Sequence, residues 1–395
     1  MNKTILLVPY WILLFSIGFG WFILAPLVPG LISDFNVSAG MIILLISIYG
    51  YAMVVLGLLS GFLSAKFTAR FSLSLAGALS IVGLAGRAFS TNYDELIIFQ
   101  VIAAAAYPLA MAPVGSVATS INQDKSHTIV GISVGSLFMG MAMGSFIGPR
   151  LFTQLGLQNT LLTTLVLSVA AMALLLTVVG KYPSKYQGKS LRGSFEPSMV
   201  KNWYIGLVIS SLAVMFSSIA SESLVDQSVA DAIAYGGLFG GLSFLGSGLG
   251  AIILPPVFER SGTLKTGLIV TSVLSLLSIF VLAYFLVHFS IFYVAASGFF
   301  LFGFFGNSFW AMAMTSTTKY VKDPAQAGFA TSMFSVATNL GVAFIPVFLG
   351  PFFLSNPAIG ISIVVLMVLV AFAMSPTLRV GPDDVQSSSG EGAEV

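Results

Sequence analysis

Cysteine is absent from this chain, histidine occurs twice, and charged residues fill only 8% of its 395 positions. Without cysteine there is no disulfide framework and no thiol nucleophile, although no redox compartment is thereby fixed. The two histidines, His127 and His288, stand in separate connections and offer no basis for a metal centre. Runs of basic residues interleaved with aromatics are missing too, which excludes nucleic acid as a partner. The triplet Gly188-Lys189-Ser190 ends like a phosphate loop, but Pro183 stands where that loop's first glycine belongs and no strand precedes it. No enzyme class and no cofactor is suggested. The scarcity of charge weighs most. An ordinary soluble domain carries about 25% charged residues, and a soluble fold of this length cannot cover itself with so few.

What fills the chain is apolar: 57% hydrophobic residues and a mean hydropathy of +1.00. Its solvent is therefore expected to be a lipid bilayer. Taking about 20 residues per crossing, long apolar runs lie at 4–33, 41–64, 71–90, 95–121, 128–153, 159–180, 203–227, 236–258, 266–287, 290–316, 327–354 and 358–376. The first run is far longer than the apolar part of a signal peptide and lacks an Ala-x-Ala-like cleavage site, so it is read as a retained helix. Most connections are short. The one long polar segment is 181–202, and the acidic, Ser/Gly-rich end of the chain is expected to be disordered.

Lysine and arginine set the orientation. With the N-terminus in the cytoplasm, all of the 16 basic residues except Arg87 and Arg150 fall on the cytoplasmic side. Twelve crossings then place both termini and the central linker there.

The chain also repeats itself. Gly131, Gly144 and Pro149 in the fifth run recur as Gly328, Gly341 and Pro346 in the eleventh, each 197 positions on. The expected fold is thus an all-α membrane protein of twelve transmembrane helices in two six-helix pseudo-repeats. The N-terminal bundle spans 1–180, the linker 181–202, the C-terminal bundle 203–376, and a disordered cytoplasmic tail 377–395. Helix five carries Gly131, Gly135, Gly140, Gly144 and Gly148 at mostly four-residue spacing, and helix eight is similarly rich in glycine. Such stripes let helix backbones approach where no hydrophobic force drives them together. They are expected to form the seam between the halves.

Two motifs resemble those of the major facilitator superfamily, and the resemblance covers residues 1–376. The family's turn after the second helix reads G-x3-D-[RK]-x-G-x-[RK]; here Gly61, Lys66 and Arg70 match, while Ala65 and Thr68 replace the acid and the second glycine. Its counterpart after helix eight keeps Glu259, Arg260, Gly262 and Lys265. In the family this element latches the cytoplasmic ends of the halves together. Gly135, Gly144, Gly148 and Pro149 match the family's antiporter signature in helix five, with Phe152 and Thr153 in place of its last two glycines. The resemblance implies a secondary transporter, with cargo held near the midplane between helices one, four, seven and ten and their neighbours. On that basis Trp21, Tyr107, Ser217, Asn307, Trp310 and Asn339 are the candidate substrate contacts; packing and interhelical hydrogen bonding are the alternative roles for them.

Charges at membrane depth are functional suspects in their own right. Arg150 lies about 33 Å along its helix and Arg87 about 24 Å along its own, so both are expected near the outer boundary, where snorkelling accommodates them. Glu222 and Asp226 share one face of helix seven and repel each other. Three roles are open to Arg150: an interfacial anchor, a latch to Glu222 or Asp226 that closes the outer mouth, or a cargo contact. Arg87, Arg150, Glu222 and Asp226 are accordingly the gating or coupling candidates. The candidate contacts are mostly neutral and aromatic, which favours a small organic solute over an inorganic anion. The expected protein is a monomeric plasma-membrane transporter, coupled to H+, with export by antiport preferred. Uptake by symport of an organic solute, anionic ones included, and a non-transporting receptor or sensor are the alternatives.

Overall fold

Hydrocarbon offers a backbone no partner but itself, and the chain answers with helices; among the described residues there is no strand. The computed structural model describes residues 3–121, 126–182, 197–289, 291–319 and 324–381. Twelve spans run through it: α1 (Ile5–Phe35), α2 (Ala39–Phe67), α3 (Ala69–Phe89), α4 (Tyr93–Met111), α5 and α6, α7 (Val200–Asp226), α8 (Ala232–Arg260), α9 (Leu264–Val287), α10 (Phe292–Lys319), α11 (Pro324–Ser355) and α12 (Pro357–Met374). The fifth and sixth form one stretch, Ser126–Val178, which is long enough for two crossings and breaks at Gly156, where φ is +76°. Only glycine turns the chain there without strain. Large side chains left exposed on the outer helix faces, among them Val55, Val166, Phe348 and Leu366, form an apolar belt suited to lipid.

Prolines interrupt two spans, and in α4 the freed carbonyl finds a partner. α1 loosens at Ile23–Leu24 ahead of Pro26, then resumes as a short helix, Val28–Phe35. In α4, Pro113 brings no N–H to the carbonyl of Leu109, and the Ser72 hydroxyl donates to that carbonyl at 2.7 Å. The Tyr10 hydroxyl donates to the neighbouring Ala110 carbonyl, also at 2.7 Å.

The repeat written in the sequence is built as matched contacts. A methyl group on Gly144 would stand 2.7 Å from the Phe19 carbonyl oxygen of α1; on Gly341, it would stand 2.9 Å from the Leu207 carbonyl oxygen of α7. Each repeated glycine thus lays the fifth helix of its half against the first. Between the halves, α5 packs along α8 and α2 along α11, which is again one contact used twice. Gly135 and Gly248 face each other across the first seam; Gly50 meets the Ala343 backbone and Gly57 the Val336 side chain across the second.

The single glycine stripe expected on helix five therefore divides. Gly131 and Gly135 face α8 in the other half, whereas Gly140, Gly144 and Gly148 face α1 in their own. A helix turns 100° per residue, and the five-residue step from 135 to 140 moves the row from one neighbour to the next.

The two chain ends described lie at the same end of the bundle as the linker. The Tyr182 hydroxyl donates to the Leu6 carbonyl at 2.7 Å, and burial pushes that phenol well above its ordinary range, so it stays a donor. Lys201 and Asn202 reach Thr377 and the Arg379 carbonyl. Leu378 and Val380 are buried, so the packed chain continues past the boundary expected at 377. Of the expected linker and tail, 183–196 and 382–395 lie outside the described residues.

Close backbone approach makes a sharp prediction. Gly144→Leu should lower the thermal unfolding midpoint in detergent, at an overpacking cost of about 1–3 kcal/mol. Gly115→Leu, where nothing lies within 4 Å, should leave it nearly unchanged.

Candidate functional site

Trp21, Tyr49 and Tyr107 form an aromatic plate in the N-terminal half. Trp21 and Tyr49 stack at 4.6 Å with their planes 7° apart, and Tyr107 tilts against Trp21 at 5.2 Å. The Trp21 indole nitrogen donates to the Ile46 carbonyl at 2.7 Å, which fixes the ring between α1 and α2. The Tyr107 hydroxyl meets the side chain of Asn339 across the interface between the halves. Asn339 itself donates to the Ser335 carbonyl one turn back at 2.9 Å.

Three of the six candidate contacts thus come together: Trp21, Tyr107 and Asn339. Trp310 belongs to the facing half, where it donates to Thr338 at 3.3 Å and packs on Phe334. Asn307 is engaged elsewhere, donating to Ser247 at 2.7 Å between α10 and α8. Ser217 is buried near Gly240 of α8 with its hydroxyl unpartnered. Tyr49 was not among the candidates.

Arg87 overturns its expected place. It does not snorkel to the interface but is fully buried inside the first half. Its Nη1 donates to the Gly20 carbonyl at 2.8 Å and to Gln100 Oε1 at 2.7 Å, while Gln100 Nε2 donates to the Leu45 carbonyl at 2.8 Å. Four helices, α1 to α4, are therefore tied at one guanidinium. The side chain's direction is what differs from the expectation. Ser72, Ala76, Ser80 and Gly83 form the small-residue face of α3 that turns into the bundle, and Arg87 stands four residues beyond Gly83 on that face. Its Nε and Nη2 have no hydrogen-bond partner. Burying a charge short of partners costs several kcal/mol.

The outer latch is not made. Arg150 is exposed, and no ion pair joins it to Glu222 or Asp226 among the described residues. The reason is rotation: Pro149 packs on Gly237 of α8, and the next residue is turned about 100° away. Near the middle of their spans, Phe22 of α1 meets Phe244 of α8 at 4.3 Å across the halves. Glu222 is half-buried with its Oε2 unpartnered, and Asp226 is exposed one turn beyond it. At the end of the bundle that carries the termini, a shallow cleft lies between α5, α8 and α10 and is lined by Gly131, Pro256, Glu259 and Thr315. The described residues contain no cluster of three metal-ligating side chains.

A family model described as Major Facilitator Superfamily matches residues 10–221, more than half of the chain. The chain belongs to the major facilitator superfamily. Its fold is similar to that of a solved mutant of the nucleoside transporter NupG, with a TM-score of 0.72 over 94% of this chain and 100% of that one, at 15% identity. None of the curated proteins matches the chain.

The superfamily turn motifs now have a conformation. In the second half, Gly262 takes φ +68° after α8. In the first half the corresponding glycine position is Thr68, and it holds φ +107° and ψ +154° between α2 and α3. That region is essentially reserved for glycine and costs about 1–3 kcal/mol for other residues. The Thr68 hydroxyl returns part of this by capping Phe71 N–H of α3 at 3.4 Å. Lys66 stands in the last turn of α2, beyond Gly61, which faces Ser332 of α11. Arg70 does not reach across to the other half; its Nε donates to the Tyr182 carbonyl at 3.0 Å and ties α3 to the end of α6. Arg260 and Lys265 are exposed. Thr68→Gly should relieve the strain at the cost of the long hydroxyl cap. The unfolding midpoint should rise by about 1–3 °C, and a fall would show that the hydroxyl cap outweighs the strain.

Proposed function

We propose that this secondary transporter of the major facilitator superfamily carries a small organic solute across the plasma membrane by alternating access, in exchange for protons, as a monomer with both termini in the cytoplasm. The observation that carries the reading is the plate of Trp21, Tyr49 and Tyr107, met from the opposite half by Asn339. A neutral aromatic surface with one amide opposite suits a flat or amphipathic organic molecule far better than a hydrated inorganic ion. Its position between the two pseudo-repeats is where rocking of one bundle against the other would expose it to each side in turn. The basic residues gathered at the end of the bundle with the termini support a cytoplasmic placement of that end. Glu222 is the proton-binding group in this reading, being the half-buried acid of α7 with one oxygen unpartnered.

The test begins with solutes that raise the unfolding midpoint of the purified protein and follows their flux in proteoliposomes. A bound solute should accumulate against its own gradient when a proton gradient is imposed, and a protonophore should abolish the accumulation. Glu222→Gln should lose uphill transport at least tenfold and retain solute exchange at equal pH. Ligand binding without flux under any gradient would contradict transport. Flux insensitive to both the protonophore and Glu222→Gln would contradict proton coupling.

A further inference from the structure

Behind the aromatic plate lies a cation with one edge unused. The Arg87 guanidinium is a rigid planar fork. Its Nη1 is held from two sides, by the Gly20 carbonyl and by Gln100 Oε1, and Gln100 is itself anchored to the Leu45 carbonyl. This fixes the plane and leaves the Nε–Nη2 edge, two parallel N–H donors, buried and without partners. That edge is the one a carboxylate engages with two hydrogen bonds.

No acid of the described chain supplies it. Asp34 and Asp94 are exposed, and Glu95 is engaged by the Thr91 backbone and hydroxyl at 2.7 and 3.0 Å. A buried guanidinium oriented by neutral acceptors alone is a cation awaiting its counter-charge. The surroundings say what kind of molecule brings it. Gly20 precedes Trp21 in α1, and Tyr49, which stacks on Trp21, is close enough to Arg87 to interact electrostatically. The guanidinium and the aromatic plate are thus neighbours, joined through the same turn of α1.

We propose that Arg87 is a binding residue for the carboxylate of an organic acid whose apolar body lies on the Trp21–Tyr49–Tyr107 plate. The inference deepens the proposed function and rests on its placement of the cargo. The edge is shut in the conformation described. The loosening of α1 at Ile23–Leu24, one turn beyond Gly20, is the hinge that uncovers it. Gln100 is a positioning residue that holds the guanidinium plane.

Thermal unfolding of the purified full-length protein tests this with matched probes: lactate, benzoate and phenylacetate against their primary amides, at one pH and ionic strength. Sodium chloride and sodium phosphate form a separate ion-only arm. At least one carboxylate should raise the midpoint saturably, at a concentration tenfold or more below its amide. Arg87→Lys keeps the charge but loses the fork, and should weaken that carboxylate at least tenfold; Arg87→Gln should abolish the preference for acid over amide. Equal shifts from acids and amides, full stabilisation by chloride or phosphate alone, or unchanged carboxylate affinity in Arg87→Gln would overturn the proposal. The wild-type pairs decide the matter if the variants do not fold. The two readings fail separately. An Arg87-dependent carboxylate that never crosses the bilayer leaves this site standing and removes transport. Uphill transport of a neutral solute, with no carboxylate preferred over its amide, does the reverse.

Discussion

Helix backbones touching through glycine hold this protein together. In a bilayer, apolar side chains gain little by leaving lipid for protein, so association rests on dispersion at short range and on interhelical hydrogen bonds. Short range requires small residues. Gly18 and Gly140 bring α1 and α5 backbone to backbone inside the first half; Gly246, Gly250 and Gly303 do the same for α8 and α10 inside the second. The seams between the halves are of a mixed kind. Gly135 meets Gly248, but Gly241 meets the Phe146 ring and Gly57 the Val336 side chain. Side chains that can change rotamer separate at less cost than backbones in direct contact. The same interaction is used more tightly within each half than between them.

Polar groups inside these bodies are mostly accounted for. Hydroxyls of Ser72 and Tyr10 meet carbonyls on α4 beside its proline break, and Asn307 and Ser247 satisfy each other. Against that background, two ionisable groups keep unpartnered atoms: Arg87 in the first half and Glu222 in the second. One lies beside the aromatic plate and the other near the C-terminal end of α7.

Hydropathy and the internal repeat carried the architecture because both are properties of whole segments. Twelve runs became twelve spans, and the offset of 197 between Gly144 and Gly341 became the same contact in each half. What those signals lack is rotation. Arg87 and Arg150 were placed by distance along a helix, which says nothing of the face they occupy. The missed information was in the spacing of small residues: Ser80, Gly83 and Arg87 share a face, whereas Arg150 follows Pro149 by a single step and so turns off the seam. Gln100, the lone amide of the apolar stretch "LIIFQVIAAA", was legible as a polar residue that needed a partner, and Tyr49 was not distinguishable from any aromatic packed between helices. The strain at Thr68 was half-visible, since the family motif demands glycine there, but the backbone angle was needed to show that the demand is conformational.

Parting of the halves is the claim on which the rest stands, and the absence of native cysteine makes it directly measurable. Gly40→Cys with Pro351→Cys bridges the α2–α11 seam at the end away from the termini, and Gly61→Cys with Ser332→Cys bridges it at the end that carries them. Each pair, once oxidised, should stop solute flux in proteoliposomes, and reduction should restore it. Undiminished flux through protein cross-linked at both ends at once would mean that solute passes without the bundles separating, and would contradict the mechanism.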